Sequence, residues 1–250
     1  MSRGLRRWVL GLGLAGVAGL LLAAFLDLPA FGSPVHPYRD AAVSAAVDHV
    51  TPNVISSVNF DQRALDTLIE ETILFGSVVA VAALLRPSDE EHLQRPDEGR
   101  GPLEGTRTVG YLLLPLTLVS GVDLVAHGHL TPGGGFQGGI VLATGLHLVY
   151  VGGRYRSLER LRPEALFEYS EAAGAAAFVV MGLATLAGNG AFLANVLPLG
   201  TFGQLLSAGT VPLLNVVVGI AVGSGGVVLV SQFLQQVLRV ARDDQAGGRS

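Results

Sequence analysis

His127-Gly128-His129-Leu130-Thr131-Pro132-Gly133-Gly134-Gly135-Phe136-Gln137-Gly138-Gly139 places five glycines and a proline in its last eight residues. Apolar stretches flank it at 109–126 and 135–153. Each is near the roughly 20 residues that a membrane-spanning helix needs. Glycine reaches backbone conformations closed to other residues and lets a neighbouring helix come close. An ordinary loop between membrane helices needs far less freedom. The run is therefore read as a broken or tightly packed helix start at the membrane, a place where transport proteins often work. A phosphate-binding loop is excluded, because no Gly-Lys-Ser/Thr ending and no strand accompany the glycines. Thr131-Pro132 reads as the helix start, with proline near the first turn. Close helix packing is then the plain role of Pro132, Gly133, Gly134, Gly135, Phe136, Gly138 and Gly139. Gln137 is the one polar side chain of the helix start able to touch an ion or water.

The composition sets the wider frame. Half of the 250 residues are hydrophobic and 14% are charged, against about 25% charged in soluble domains. Between Ala172 and Leu238 there is no Asp, Glu, Lys or Arg. The fold class is an all-α polytopic membrane protein. The lack of cysteine excludes disulfides, thiolate metal sites and cysteine nucleophiles. No nucleic-acid partner and no cofactor is implied. All 16 basic residues are arginine, which reads as composition bias.

Six windows qualify as spans: 8–26, 66–85, 109–126, 135–153, 172–193 and 211–233. The first follows a basic start, Arg3, Arg6 and Arg7, but its 19 or so apolar residues exceed the roughly 7–15 of a secretory signal core. A retained helix is expected. Arginine placement fixes the orientation. With the N-terminus inside, every arginine except Arg39 and Arg63 falls on the cytoplasmic side, as the positive-inside rule requires. Six spans then leave both termini cytoplasmic, in a multi-pass cell-membrane protein.

Residues 87–108 are rich in charge, proline and glycine and read as a cytoplasmic linker. They divide a two-helix unit, 1–86, from a four-helix unit, 109–250. The outer segment 27–63 holds four prolines and is expected to be partly ordered. His36, Asp40, Asp48 and His49 lie there without tight ligand spacing, so no metal site is assigned. Residues 197–210 are uncharged and fit either a short outer loop or a re-entrant segment.

Few groups in the spans could carry chemistry. Asp66 and Glu70 are four apart on one helix face, about 6 Å along the axis. A carboxylate in a membrane must be paired, hydrated or protonated. For Asp66 an interfacial pair with Arg63 is the simpler reading. For Glu70 that reading and a proton or cation role stand level. Glu71 points elsewhere and is expected to reach for water. Asp123 lies near the outer end of its span, where it is either a headgroup-zone carboxylate or part of a polar path from His127 and His129. His147 sits alone inside the fourth window, as a hydrogen-bonded neutral side chain or a pathway residue. Glu168 and Glu171 begin the fifth span. They read most simply as a solvated cluster at a helix N-terminus, and more sharply as an inner proton mouth.

Gly128-His129-Leu130-Thr131-Pro132 through Gly139 resembles the signature of the MnhB/MrpB subunit of multisubunit Na+/H+ antiporters and of its counterpart in membrane-bound hydrogenases. The resemblance covers roughly residues 108–239. Arg63-Ala-Leu-Asp66-Thr67-Leu-Ile-Glu70 resembles a second element, found at the C-terminal end of the large MrpA subunit or as the small MbhE subunit. There the pattern is close to Arg-Gly-Phe-Asp-Thr-x-x-Glu, so Ala64 and Leu65 depart from it. The chain resembles a fusion of the two. The resemblance implies a membrane subunit of an Mrp-type complex, with the other subunits and the bilayer as partners and Na+ and H+ as transported ions. It implies no covalent chemistry. A hydrogenase-like redox complex and a purely structural scaffold are the alternatives. Glu70 leads the path candidates, followed by Asp123, His147 and Glu171. Relatives lead one to expect an acidic residue near Gly219–Val222, where this chain has Ala221.

Overall fold

The computed structural model describes residues 3–28, 32, 34–85, 103–152, 164–188 and 190–247. Helices make up its regular structure: α1 (Arg3–Leu26), α2 (Pro37–Asp48), α3 (Val54–Ser57), which runs into a π turn (Val58–Gln62), α4 (Ala64–Leu84), α5 (Glu104–Ala126), α6 (Gly135–Gly152), α7 (Glu164–Ala187) and α8 (Val211–Gly247). Two compact units are distinguished, Met1–Asp40 and Ala41–Ser250. The first is dominated by α1, whose segment Arg7–Leu26 is long and apolar enough to cross a membrane.

Five helices among the described residues meet that standard: α1, α4, α5, α7 and α8. The sixth expected crossing is α6, with 18 residues. At 1.5 Å per residue it is about 27 Å long. The fifth expected span, 172–193, is displaced. Its helix begins at Glu164 and ends at Ala187, because Gly188-Asn189-Gly190 stops it. Residues 190–193 belong to the following loop, where Leu193 takes a positive φ of 61°. The expected linker, 87–108, lies mostly outside the described residues, and its last five residues already belong to α5.

In the larger unit α8 is the hub. It packs against α6, α7 and α4, and α5 packs against α6. Of its spanning window 61% is buried, against 17% for α4 and α5 and 28% for α7. Lipid tails are as apolar as leucine, so helices associate in a membrane through close approach and polar contacts rather than through hydrophobic transfer. The sequence supplies both. Gly138 faces α5, where an added Cβ would meet Val125 Cγ2 at 2.4 Å and the Gly121 carbonyl at 2.8 Å. Gly139, one residue on, faces α8. An apolar cluster of Phe60, Ala64, Phe178, Leu193, Ala208, Val211, Leu214, Val218 and Val222 joins the start of α4 and the start of α8 to α7.

The segment between α1 and α4 is more regular from residue 34 onward than its prolines suggest. Helix α2 buries Ala42 and Ala46. Asn53 caps α3, its side chain accepting from the Ile55 and Ser56 amides. Gln62 Nε2 donates to the Ala42 carbonyl at 3.0 Å, and Thr67 Oγ1 donates to the Asn59 carbonyl at 2.7 Å.

Candidate functional site

The glycine run is held by two asparagines, Asn53 and Asn215, whose roles no local pattern announces. Asn53 Nδ2 donates to the carbonyls of Gly128 (2.7 Å) and Thr131 (2.8 Å). Its backbone amide donates to the His129 carbonyl. Asn215, fully buried on α8, accepts from the Gly135 amide at 2.9 Å and donates to Ser56 Oγ and the Val211 carbonyl, both at 3.0 Å. Gly128 and Gly134 lie so close to Asn215 Oδ1 that a Cβ would stand 2.6 and 2.8 Å from it. Asn195 organises the loop before α8, accepting from the Thr210 amide and hydroxyl and donating to the Ala208 carbonyl. That loop is irregular and ordered, with positive φ at Gly200, Gly203, Ala208 and Gly209. Pro132 lies three residues before α6 rather than in its first turn. The chain turns through Gly133 and Gly134, whose φ values are +145° and +128°. Gln137 is exposed.

Asn53→Ala removes two hydrogen bonds to carbonyls and a helix cap. We expect a loss of about 1–3 kcal/mol, read as a lower Tm in detergent, with the helical content kept.

His129 is fully buried, and its Nε2–H donates to the Leu205 carbonyl at 3.0 Å. Burial, the largest influence, holds its pKa below the usual imidazole value. The unfolded chain therefore takes up this proton at a higher pH than the folded chain does. Stability from the neutral ring is complete above the ordinary imidazole pKa of about 6.5 and falls as pH drops below it. Thermal unfolding from neutral to mildly acidic pH should show this loss, and His129→Gln should flatten it.

The carboxylates fall into two groups. Asp66 pairs with Arg63, and Asp123 pairs with His127 Nδ1 at 2.8 Å; both pairs are solvent-accessible. Asp61 joins His49 at 2.5 Å, its own side chain buried and that of His49 half exposed. Glu70 is exposed on α4, and Glu168 is exposed on α7. The interior carboxylates are Glu71 and Glu171, 3% and 4% exposed. The expectation that Glu71 reaches for water is thus overturned. The turn from Glu70 to Glu71 carries the second side chain to the face packed on α7 and α8. The solvated reading of Glu171 fails too, because α7 begins seven residues before it. His147 is half-buried on α6. Ala221 is buried against Gly174 of α7. Among the described residues no three His, Asp or Glu side chains group as a metal site.

The described site is thus a glycine-rich turn pinned by Asn53 and Asn215, together with a seam of α4, α7 and α8 that buries Glu71 and Glu171. Residues 106–229 match the family model described as a domain related to the MnhB subunit of Na+/H+ antiporter. The chain belongs to this MnhB-related family. An uncharacterized protein of Methanocaldococcus jannaschii is 30% identical over 198 residues, 71% of this chain and 75% of the relative. A chain of the membrane-bound sulfane sulfur reductase, an archaeal respiratory membrane complex, is similar with a TM-score of 0.71 and 28% identity. The likeness covers 92% of this chain and 98% of that one. A chain of the Mrp complex from Dietzia sp. shares the fold at a TM-score of 0.66 and 24% identity, over 93% of this chain. The present chain spans 26% of that longer one. The MnhB-related domain thus starts two residues into α5 and ends within α8. It contains the glycine run, Asn215 and Glu171. Glu71 and Asn53 come from the segment before it. The chain is a multi-pass membrane protein of an antiport family.

Proposed function

We propose that this chain is a membrane subunit of a multisubunit cation/proton antiporter, with Na+ as the exchanged cation. It joins the assembly and lends part of the proton or cation path, and it carries out no covalent step. The MnhB-related match over residues 106–229 carries this reading. Glu70 supports it. It lies about 9 Å along α4 from the helix start and is exposed within this chain. A carboxylate facing lipid tails there would be costly, so a partner subunit or water meets it. Asp66, Asp123, His147 and Glu171 stand behind Glu70 as path candidates. The two-helix segment before the linker is proposed to be a fused MbhE-like element; the likenesses covering 92% and 93% of the chain, beyond the family match, support that. With α6 as the sixth crossing, both termini lie in the cytoplasm, and a reporter fused after Ser250 should read as internal.

A second reading is favoured by one observation. The chain from the respiratory complex is matched over 98% of its length, so a redox-driven host complex uses a subunit of this extent. Purification of the assembly through a tag on this chain separates the two. Antiporter-type membrane subunits alone are the expected companions. Co-purifying subunits with iron–sulfur clusters would place the chain in a redox complex instead.

A further inference from the structure

Glu71 and Glu171 are the interior groups that the exposed and paired carboxylates leave unexplained. Each is more than nine-tenths buried, and on each the Oε1 atom has no hydrogen-bond partner. Such an atom in a packed bundle lacks a proton, a water or an ion. Their placement is specific. An added Cβ at Gly225 of α8 would lie 2.8 Å from Glu171 Oε1 and 3.4 Å from Val78 Cγ2 of α4. The Glu171 carboxylate therefore occupies the seam of α4, α7 and α8, in space that glycine leaves open. Val78 and Glu71 share one face of α4, two turns apart, which is about 10 Å along the axis. The two carboxylates are stepped along the seam. Thr67, one turn before Glu71 and buried, continues the line toward the π turn and the Asp61–His49 pair.

The charges buried in the seam are of one sign: Glu71 from α4 and Glu171 from α7. Glu70 and Glu168 beside them are exposed, and Asp61 of the π turn is paired with His49. Helix α8 has no charged residue before Arg239. Neither Glu71 nor Glu171 forms a salt bridge among the described residues, so two ionised carboxylates here would be strongly disfavoured. A desolvated hard cation takes about six oxygen ligands, which two stepped carboxylates among apolar helices do not supply. A proton needs one lone pair.

We propose that Glu71 and Glu171 are a proton-exchanging pair that carries protons along the α4–α7–α8 seam, through the interior of this chain. This rests on the reading of the chain as part of a proton-coupled assembly. In the exchange, one carboxylic acid gives its proton to the nearest water of a hydrogen-bonded chain along the seam, each water passes a proton to the next, and the other carboxylate takes a proton from the last, so atoms and charge balance and no electrons move. The pair lies on a different face of α4 from Glu70 and links the segment before the linker with the MnhB-related domain.

The test uses the intact complex in vesicles and dicyclohexylcarbodiimide, which attacks protonated carboxyls in apolar surroundings. Peptide mapping should find Glu71 and Glu171 modified, with labelling that fades as pH rises. The double variant Glu71→Gln/Glu171→Gln, in a complex with its full set of subunits, should lose proton flux. Absence of label on both residues at every pH overturns the proposal, and so does full flux in the double variant. If the variant does not assemble, labelling of the unaltered complex decides. The companions found by purification report separately on the membership reading, so the two failures remain distinct.

Discussion

Gly139→Leu is expected to prevent the bundle from forming. An added Cβ at this position would stand 2.9 Å from the Gly219 carbonyl, 2.9 Å from the Gly223 amide and 3.0 Å from Val222 Cβ. Two of these atoms are backbone of the central helix and cannot swing aside. Gly219 and Gly223 are four residues apart, the spacing by which small residues let membrane helices touch. Overpacking a core costs about 1–3 kcal/mol when side chains can adjust. Here α6 must separate from α8, and every contact along that seam weakens. We expect the variant to be lost from the membrane fraction or to aggregate in detergent, as size-exclusion chromatography would show. Gly76→Leu is the matching control: nothing lies within 4 Å of its added Cβ, and the variant should behave as the unaltered chain. Equal profiles for the two variants would contradict the packing role of the run.

Asn215→Leu is expected to have the next largest effect. Its amide joins the Gly135 amide, the Ser56 hydroxyl and the Val211 carbonyl from the interior of the bundle. Leucine keeps the volume but removes every partner. The Gly135 amide and Ser56 hydroxyl are then buried without their present partner, at about 1–3 kcal/mol each. A branched apolar side chain would also press on the Gly128–Gly134 turn, which fits closely around the amide oxygen. The expected outcome is a loss of several kcal/mol by these terms together, read as a large fall in Tm and as protease cleavage at the 127–134 turn. A Tm within error of the unaltered chain would show that the clasp contributes little.

The membrane class and the approximate places of the long helices were legible because they depend on long apolar runs, which one sequence displays in full. The packing role of Gly138 and Gly139 was legible for a similar reason: adjacent glycines on a helix face few uses other than close contact. Three features were hidden. Helix α2 has a weak apolar stripe carried mainly by alanines, and the prolines around it read as loop. Helix α7 starts eight residues before the expected 172, because Glu164, Glu168 and Glu171 lower the hydropathy of a window that is nonetheless helical. Glu171 therefore sits inside the helix rather than at its solvated end. Glu70 and Glu71 are adjacent, and which one faces inward depends on the rotation of α4 against α7 and α8, a tertiary fact that no local pattern records. Asn215 did leave a signal, as the one asparagine in the uncharged stretch 211–233. Its partners lie 80 and 159 residues away in sequence, so its role could not be read from spacing.

The two faces of α4 give the chain a division of labour. Glu70 is exposed and Asp66 half-buried, while Glu71 lies in the interior of the bundle. Asn53 and Asn215 clasp the turn that joins α5 to α6.

The most direct measurement is Na+-dependent proton flux in vesicles that hold the whole complex, with this chain unaltered or carrying Glu70→Gln. The subunit content of each preparation must be shown to be the same. Flux that falls to the level of vesicles lacking the complex is the expected result, and it would tie ion movement to α4 of this chain. Undiminished flux in a fully assembled Glu70→Gln complex would contradict a role for that carboxylate in the path.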